Sequence, residues 1–174
     1  IGDARLKMDP LAGLDVALKR YAGAEAFSVG IPSVSSSSDS ASVLAGLLSR
    51  TKAHRVDDTI FFPRGRYAID GDLVFPHRLA VVLEQGARIE LAANVSVVVN
   101  GGLRVLGTSR NPVFIRAKDD SAPFGSFAVL GEGETTVSIT GLQMSGGREA
   151  RIDGVYFSGM LAVHGAMSTT LSDC

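Results

Sequence analysis

The chain has 174 residues with 17 Lys+Arg against 18 Asp+Glu, a formal net charge of -1, so one domain with a sizeable core is expected and no basic run stands ready to neutralise a row of phosphates. Nucleic acid is therefore not an expected partner, and the longest apolar runs, such as Leu79 to Leu83, end far short of the roughly 20 residues that cross a bilayer, so membrane insertion is not expected either. The single cysteine, Cys174, excludes an intrachain disulfide and a zinc-type Cys cluster.

Ile1 is followed by no charged stretch leading into an apolar one, which reads as a leader removed or a segment of something longer. Asp9-Pro10 offers an N-cap and a first-turn proline, and Leu11, Leu14, Leu18 and Tyr21 then share a helical face up to Gly23. Residues 33–42 are nearly all serine and read as a flexible linker. After it, Asp39 is expected to cap a second short helix with Val43, Leu44, Leu47 and Leu48 on one side. Residues 1–56 thus read as a helical extension with a Ser-rich linker.

From Thr59 the texture changes to short β-branched runs punctuated by Gly, Pro, Asn and Asp, from Ile60–Phe62 through Tyr67–Ile69, Leu73–Phe75, Leu79–Leu83 and Arg88–Leu91 to Thr169–Ser172. The fold class is all-β. Three runs spell one rung: Ser96 to Gly101, Ser126 to Gly131 and Met160 to Gly165, at offsets of 30 and 34 residues. Repetition at that interval marks a stacked architecture in which each unit buries its apolar face against its neighbours. The columns Val97/Phe127/Leu161 and Val99/Val129/Val163 are expected inside, and Val98/Ala128/Ala162 and Asn100/Leu130/His164 outside, with Gly101/Gly131/Gly165 at the corner. A second rung relates Val137, Ile139 and Leu142 to Thr169, Leu171 and Cys174. A third strand per coil is expected from Leu73–Phe75, Arg88–Leu91 or Val113–Arg116, which together give a parallel β-helix over residues 57–174. Between the runs only Asn100-Gly101 qualifies as a hairpin signal, and the repeat makes it a corner instead.

Residues 57–174 resemble the right-handed parallel β-helix of the pectin-lyase-like fold, a solenoid, and more narrowly the segments that accompany CotH-type spore-coat kinase domains in bacterial surface proteins. The residues that carry the likeness are Pro63-Arg64-Gly65-Arg66-Tyr67, Asp72-Leu73-Val74-Phe75-Pro76, Leu83-Glu84-Gln85-Gly86-Ala87-Arg88-Ile89, Gly101 to Thr108 followed by Asn111-Pro112-Val113, Phe124 to Gly131 and Ser158 to His164. The resemblance implies an extracytoplasmic or secreted location and a polysaccharide or surface protein as partner. It does not imply kinase activity, because this chain has no Gly-rich phosphate loop and no His-Arg-Asp motif.

For enzymes of that fold the resemblance implies lyase or hydrolase chemistry on acidic or neutral polysaccharides, with calcium as the one cofactor to expect of a lyase. The candidates for such work are Arg148, Arg151 and Asp153, in a charged insertion, with His164 one strand later. The competing reading is a solvated loop. Asp119 and Asp120 offer two hard oxygen ligands but no accompanying carboxylates, so a turn is the better reading, as it is for Asp70-Gly71-Asp72. Neither His54 nor His77 has a partner at metal-site spacing, and Ser168, His164 and Asp173 form no nucleophile elbow. The expected function is a non-catalytic scaffold or a carbohydrate- or partner-binding segment of a larger protein. The alternatives are a polysaccharide lyase or glycoside hydrolase, and a self-assembling adhesive protein joined end to end through an open coil.

Overall fold

A computed structural model describes residues 38–174, which are rich in strand and contain one helix, α1 (Ser38–Arg50). After α1 come β1 (His54–Val56), β2 (Thr59–Phe62), β3 (Gly65–Ile69) and β4 (Leu73–Phe75). Six more follow: β5 (Ala80–Glu84), β6 (Ala87–Leu91), β7 (Val97–Val99), β8 (Leu103–Leu106), β9 (Val113–Ala117) and β10 (Phe127–Leu130). The last are β11 (Thr136–Thr140), β12 (Leu142–Ser145), β13 (Ala150–Ile152), β14 (Val155–Phe157), β15 (Leu161–His164) and β16 (Ser168–Ser172). The helix expected over residues 11–23 lies outside the described residues.

Three sheets are visited in rotation. The first has the order β1-β2-β5-β8-β11-β16, the second β3-β6-β9-β12 and the third β4-β7-β10-β15, while β13 and β14 form a hairpin of their own. Apart from β1 on β2 and the hairpin, every pairing is parallel. Parallel strands cannot be joined by a tight turn, so each return to a sheet runs through the other two. In the first sheet Ile60, Val81, Leu103, Val137 and Thr169 stand in one row.

The rung legible in the sequence is present in register, with Val97, Phe127 and Leu161 paired across β7, β10 and β15, and Val99, Val129 and Val163 beside them. Leu73–Phe75 joins this same sheet, whereas Arg88–Leu91 and Val113–Arg116 belong to the second. Val137 and Ile139 face Thr169 and Leu171 as expected, but Leu142 pairs with Val113 and not with Cys174. The cause is Gly141, whose φ of 61° turns the chain from the first sheet to the second between β11 and β12. A Cβ there would also strike the backbone of Gly107, one row earlier.

Inward side chains from all three sheets meet in one buried cluster. In the first circuit each sheet contributes a ring: Phe62 packs edge-on against Tyr67 at 5.1 Å and against Phe75 at 6.3 Å. Tyr67 Oη donates to the Pro63 carbonyl at 2.7 Å, and burial, with a smaller push from Glu84, raises its pKa. The corner glycine Gly101 is required by close approach, not by positive φ, because a Cβ would overlap the Leu79 carbonyl oxygen.

Three strands escaped the sequence reading: β1, β12 and β13. The Ser-rich stretch also needs correction, since it is helical from Ser38 onward. Its Ser40 is buried, accepting from the Val74 N–H at 2.6 Å and donating to the Val74 carbonyl at 3.3 Å. Polar composition alone suggested a linker, but a small hydroxyl fits where a helix must satisfy the free backbone groups of an edge strand. Asp39 stands inside the first turn, not ahead of it, and complements the helix dipole from there. Because α1 packs on β3 and β4 while β1 pairs with β2, the first edge of every sheet is covered. Along the last edges β16 is exposed throughout, and the inward-row Leu171 is 54% exposed.

Candidate functional site

The charged insertion expected at residues 148–153 is a hairpin. Asp153 and Gly154 both have positive φ, 46° and 83°, and Ile152 pairs with Val155, the two-residue turn that matches strand twist. Asp153-Gly154 was thus the operative hairpin signal, and the sequence reading passed over it. One side of the hairpin is apolar: Ile152, Val155 and Phe157 pack on Val74, Val98, Ala128, Leu130 and Ala162. The columns Val98/Ala128/Ala162 and Leu130 point away from the main core as expected, yet they are buried beneath this roof.

Beside the roof lies a cleft of about 440 Å³ lined by Asp72, Asn94, Ser96, Arg148, Arg151 and Tyr156 among others. Arg148 Nη2 donates to Asn94 Oδ1 at 2.6 Å, and the Arg148 N–H bonds the carbonyls of Phe124 and Gly125, which moors the hairpin to the body. Asp72 Oδ1 accepts from the Ser96 N–H at 2.8 Å. Arg151 and Tyr156 face each other across the hairpin ladder, and Tyr156 is 53% exposed. The structure therefore brings Arg148 and Arg151 together, with Asp72 and Glu149 as acidic neighbours. It does not bring Asp153, at the turn tip, or His164, whose ring lies 5.5 Å from Phe157, into that cleft.

The outward face of the second sheet carries a different arrangement. Glu90, 4% exposed, accepts from Arg66 Nε at 2.6 Å and from Arg116 Nη2 at 2.7 Å, so one carboxylate on β6 ties guanidiniums on β3 and β9. The hydrogen bond from Arg66, with that from Arg116, holds the Glu90 carboxyl below its usual range against the opposing effect of burial. A cleft of about 330 Å³ on the same sheet is rimmed by Arg64, Arg88 and Arg110, with Arg88 lying 5.4 Å from the centre of the Phe114 ring. Neither cluster was read from the sequence. Arg64, Arg88 and Arg110 fall once per circuit but at different register positions, with Arg88 between Arg66 and Phe114, so no column of the repeat announces them.

Asp119 caps a tight turn, accepting from the Ser121 N–H at 2.9 Å and the Ser121 hydroxyl at 2.8 Å, which lower its pKa, while Ala122 N–H bonds its carbonyl. Asp120 follows it, exposed. Asp70 pairs with Lys118 at 2.7 Å, so the two acids around Gly71 serve separate partners. His54 stacks on Phe61, and His77 lies 3.8 Å from Glu132. Among the described residues no three His, Cys, Asp or Glu side chains gather as a metal site.

Comparison of the chain with protein-family models, with curated proteins and with solved structures finds no match.

Proposed function

We propose that the chain is a right-handed parallel β-helix that serves as a non-catalytic, carbohydrate-binding scaffold segment of a larger bacterial extracytoplasmic protein. Support for the fold is the rotation through three parallel sheets with rows in register, together with the general right-handedness of crossovers between parallel strands. The bacterial surface setting, including a neighbour of CotH type, is supported by the resemblance of the quoted loop motifs alone.

The observation that carries the binding reading is the exposed Tyr156 ring beside Arg151, over a cleft that also presents Asp72, Asn94 and Arg148. A sugar ring offers an apolar face and a fringe of hydroxyls, and an aromatic surface beside donors and acceptors on a rigid scaffold suits both. Calorimetric titration of the chain with neutral and uronate-containing oligosaccharides tests this. Binding is expected, weakened about tenfold by Tyr156→Ala, the equivalent of about 1.4 kcal/mol, with no product formed. Calcium-dependent release of unsaturated sugar, lost in Arg151→Ala, would replace the scaffold reading with that of a lyase; no binding to any of these glycans would refute the carbohydrate reading.

A further inference from the structure

We propose that the outward face of the second sheet holds a site for a tetrahedral oxyanion, a sulfate ester or a phosphate monoester, in the cleft rimmed by Arg64, Arg88 and Arg110. This cleft lies apart from the one beside the hairpin, with no lining residue in common, so the proposal stands independently of carbohydrate binding there.

Three successive circuits each supply one arginine: Arg64 just ahead of β3, Arg88 within β6 and Arg110 shortly ahead of β9. No carboxylate lines the cleft, and none of the three guanidiniums is in an ion pair among the described residues. Glu90, the buried acid of this face, is committed to Arg66 and Arg116. Like charges gathered round one space repel each other, and an anion placed among them converts that repulsion into attraction.

Local structure positions each group in advance. A Cβ on Gly86 would stand 3.2 Å from Arg64 Cγ, so glycine at that place lets the Arg64 stem lie close against the backbone of the next circuit. Arg88 is held against the Phe114 ring. Arg110 sits in a turn closed twice, by Thr108 N–H to the Asn111 carbonyl at 3.1 Å and by Asn111 N–H to Thr108 Oγ1 at 3.0 Å. Groups ordered before binding lose less freedom on binding.

Ligand class follows from the count of donors and the number of circuits that supply them. A carboxylate presents two oxygens in one plane, and a single guanidinium fork can satisfy both. Guanidiniums supplied by three circuits instead suit an anion whose oxygens point in separate directions and whose charge exceeds one, as in a phosphate monoester, or whose three terminal oxygens share one charge tetrahedrally, as in a sulfate ester.

The test is an NMR titration of the full chain, following arginine Nε–Hε signals as inorganic sulfate or inorganic phosphate replaces chloride at constant ionic strength. Galactose 6-sulfate, glucose 6-phosphate and galacturonate are then added in separate arms. Saturable shifts are expected at Arg64, Arg88 and Arg110, with affinity weakened about tenfold in Arg110→Gln, the loss of one charge-assisted hydrogen bond. Arg104→Gln, which removes the same charge from the exposed side of the first sheet, is expected to leave affinity within about twofold. The tighter of the two sugar esters identifies the source of the oxyanion. Absence of saturation, an equal loss in Arg104→Gln, or galacturonate bound as tightly as the esters would each overturn the proposal. Arg110 is exposed in a turn, so an unchanged backbone spectrum in Arg110→Gln confirms that a lost shift is not lost folding.

Discussion

The second and third sheets have interchangeable inward faces and opposite outward ones. Inside, both present rows of Ile, Leu, Val and Phe to the same core, as in Ile89 over Ile115 and Val97 beside Phe127. Outside, the third sheet is apolar and roofed by the β13–β14 hairpin, whereas the second is a ladder of arginines around one buried glutamate, open to water. Inward columns are constrained by stacking, since every residue there must match the row above and below. Outward columns are free of that constraint, and the two sheets have used the freedom differently: one to build a second small core, the other to gather charge.

The sharpest way to break the contrast is to remove the centre of the roof. Phe157 is fully buried between the hairpin and the third sheet. Phe157→Ala is expected to cost about 3–4 kcal/mol in denaturant unfolding, the usual range for a buried aromatic cut to alanine. It should also expose Val98, Ala128 and Leu130 to amide and side-chain solvent probes. A cost under about 1 kcal/mol would mean that the hairpin is a loose flap and the third sheet's outward face is no core.

On the second sheet the matching test is Glu90→Gln, with an expected cost of about 1–2 kcal/mol. This falls short of a fully buried pair because the side chains of Arg66 and Arg116 are 71% and 47% exposed. Its pH dependence has a definite sign. Glu90 has a folded pKa below the ordinary value of 4.5, chiefly through the Arg66 hydrogen bond. Its contribution is therefore complete above that value and is lost as pH falls through the lowered folded one. The stability gap between wild type and Glu90→Gln should shrink on acidification from about pH 5 to pH 3, while the gap for Phe157→Ala, which rests on apolar burial, should hold. Parallel behaviour of the two gaps would remove the distinction between the faces.

Much of the inward half of this design was legible in the sequence. The rung Val97/Phe127/Leu161 could be aligned by eye because its columns stay apolar and its offsets are nearly constant, and stacking is what imposes both. The outward half was not legible for the same reason inverted: Arg66, Glu90 and Arg116 are three charges scattered over fifty residues until the register sets Glu90 opposite Arg116 and diagonal to Arg66. The roof was missed because β13 is only Ala150-Arg151-Ile152, and its apolar side is masked in the sequence by Arg148, Glu149 and Asp153 around it. Ser40 was misread on composition, since what decides its role is the edge of β4, thirty-four residues away.

The smallest effect expected bears on how that roof is held. Gly154, with φ of 83°, has nothing within 4 Å of the place a Cβ would occupy. Gly154→Ala therefore meets no steric barrier from its surroundings, and its whole cost is the backbone conformation, about 1 kcal/mol for an L residue held at positive φ. That cost falls on the turn of the hairpin alone and leaves the Phe157 contacts in place. The folded state should be destabilised by that amount with no change in the chemical shifts of the second sheet. A loss as large as that of Phe157→Ala would show that the turn, and not the apolar packing, is what keeps the third sheet's outward face dry.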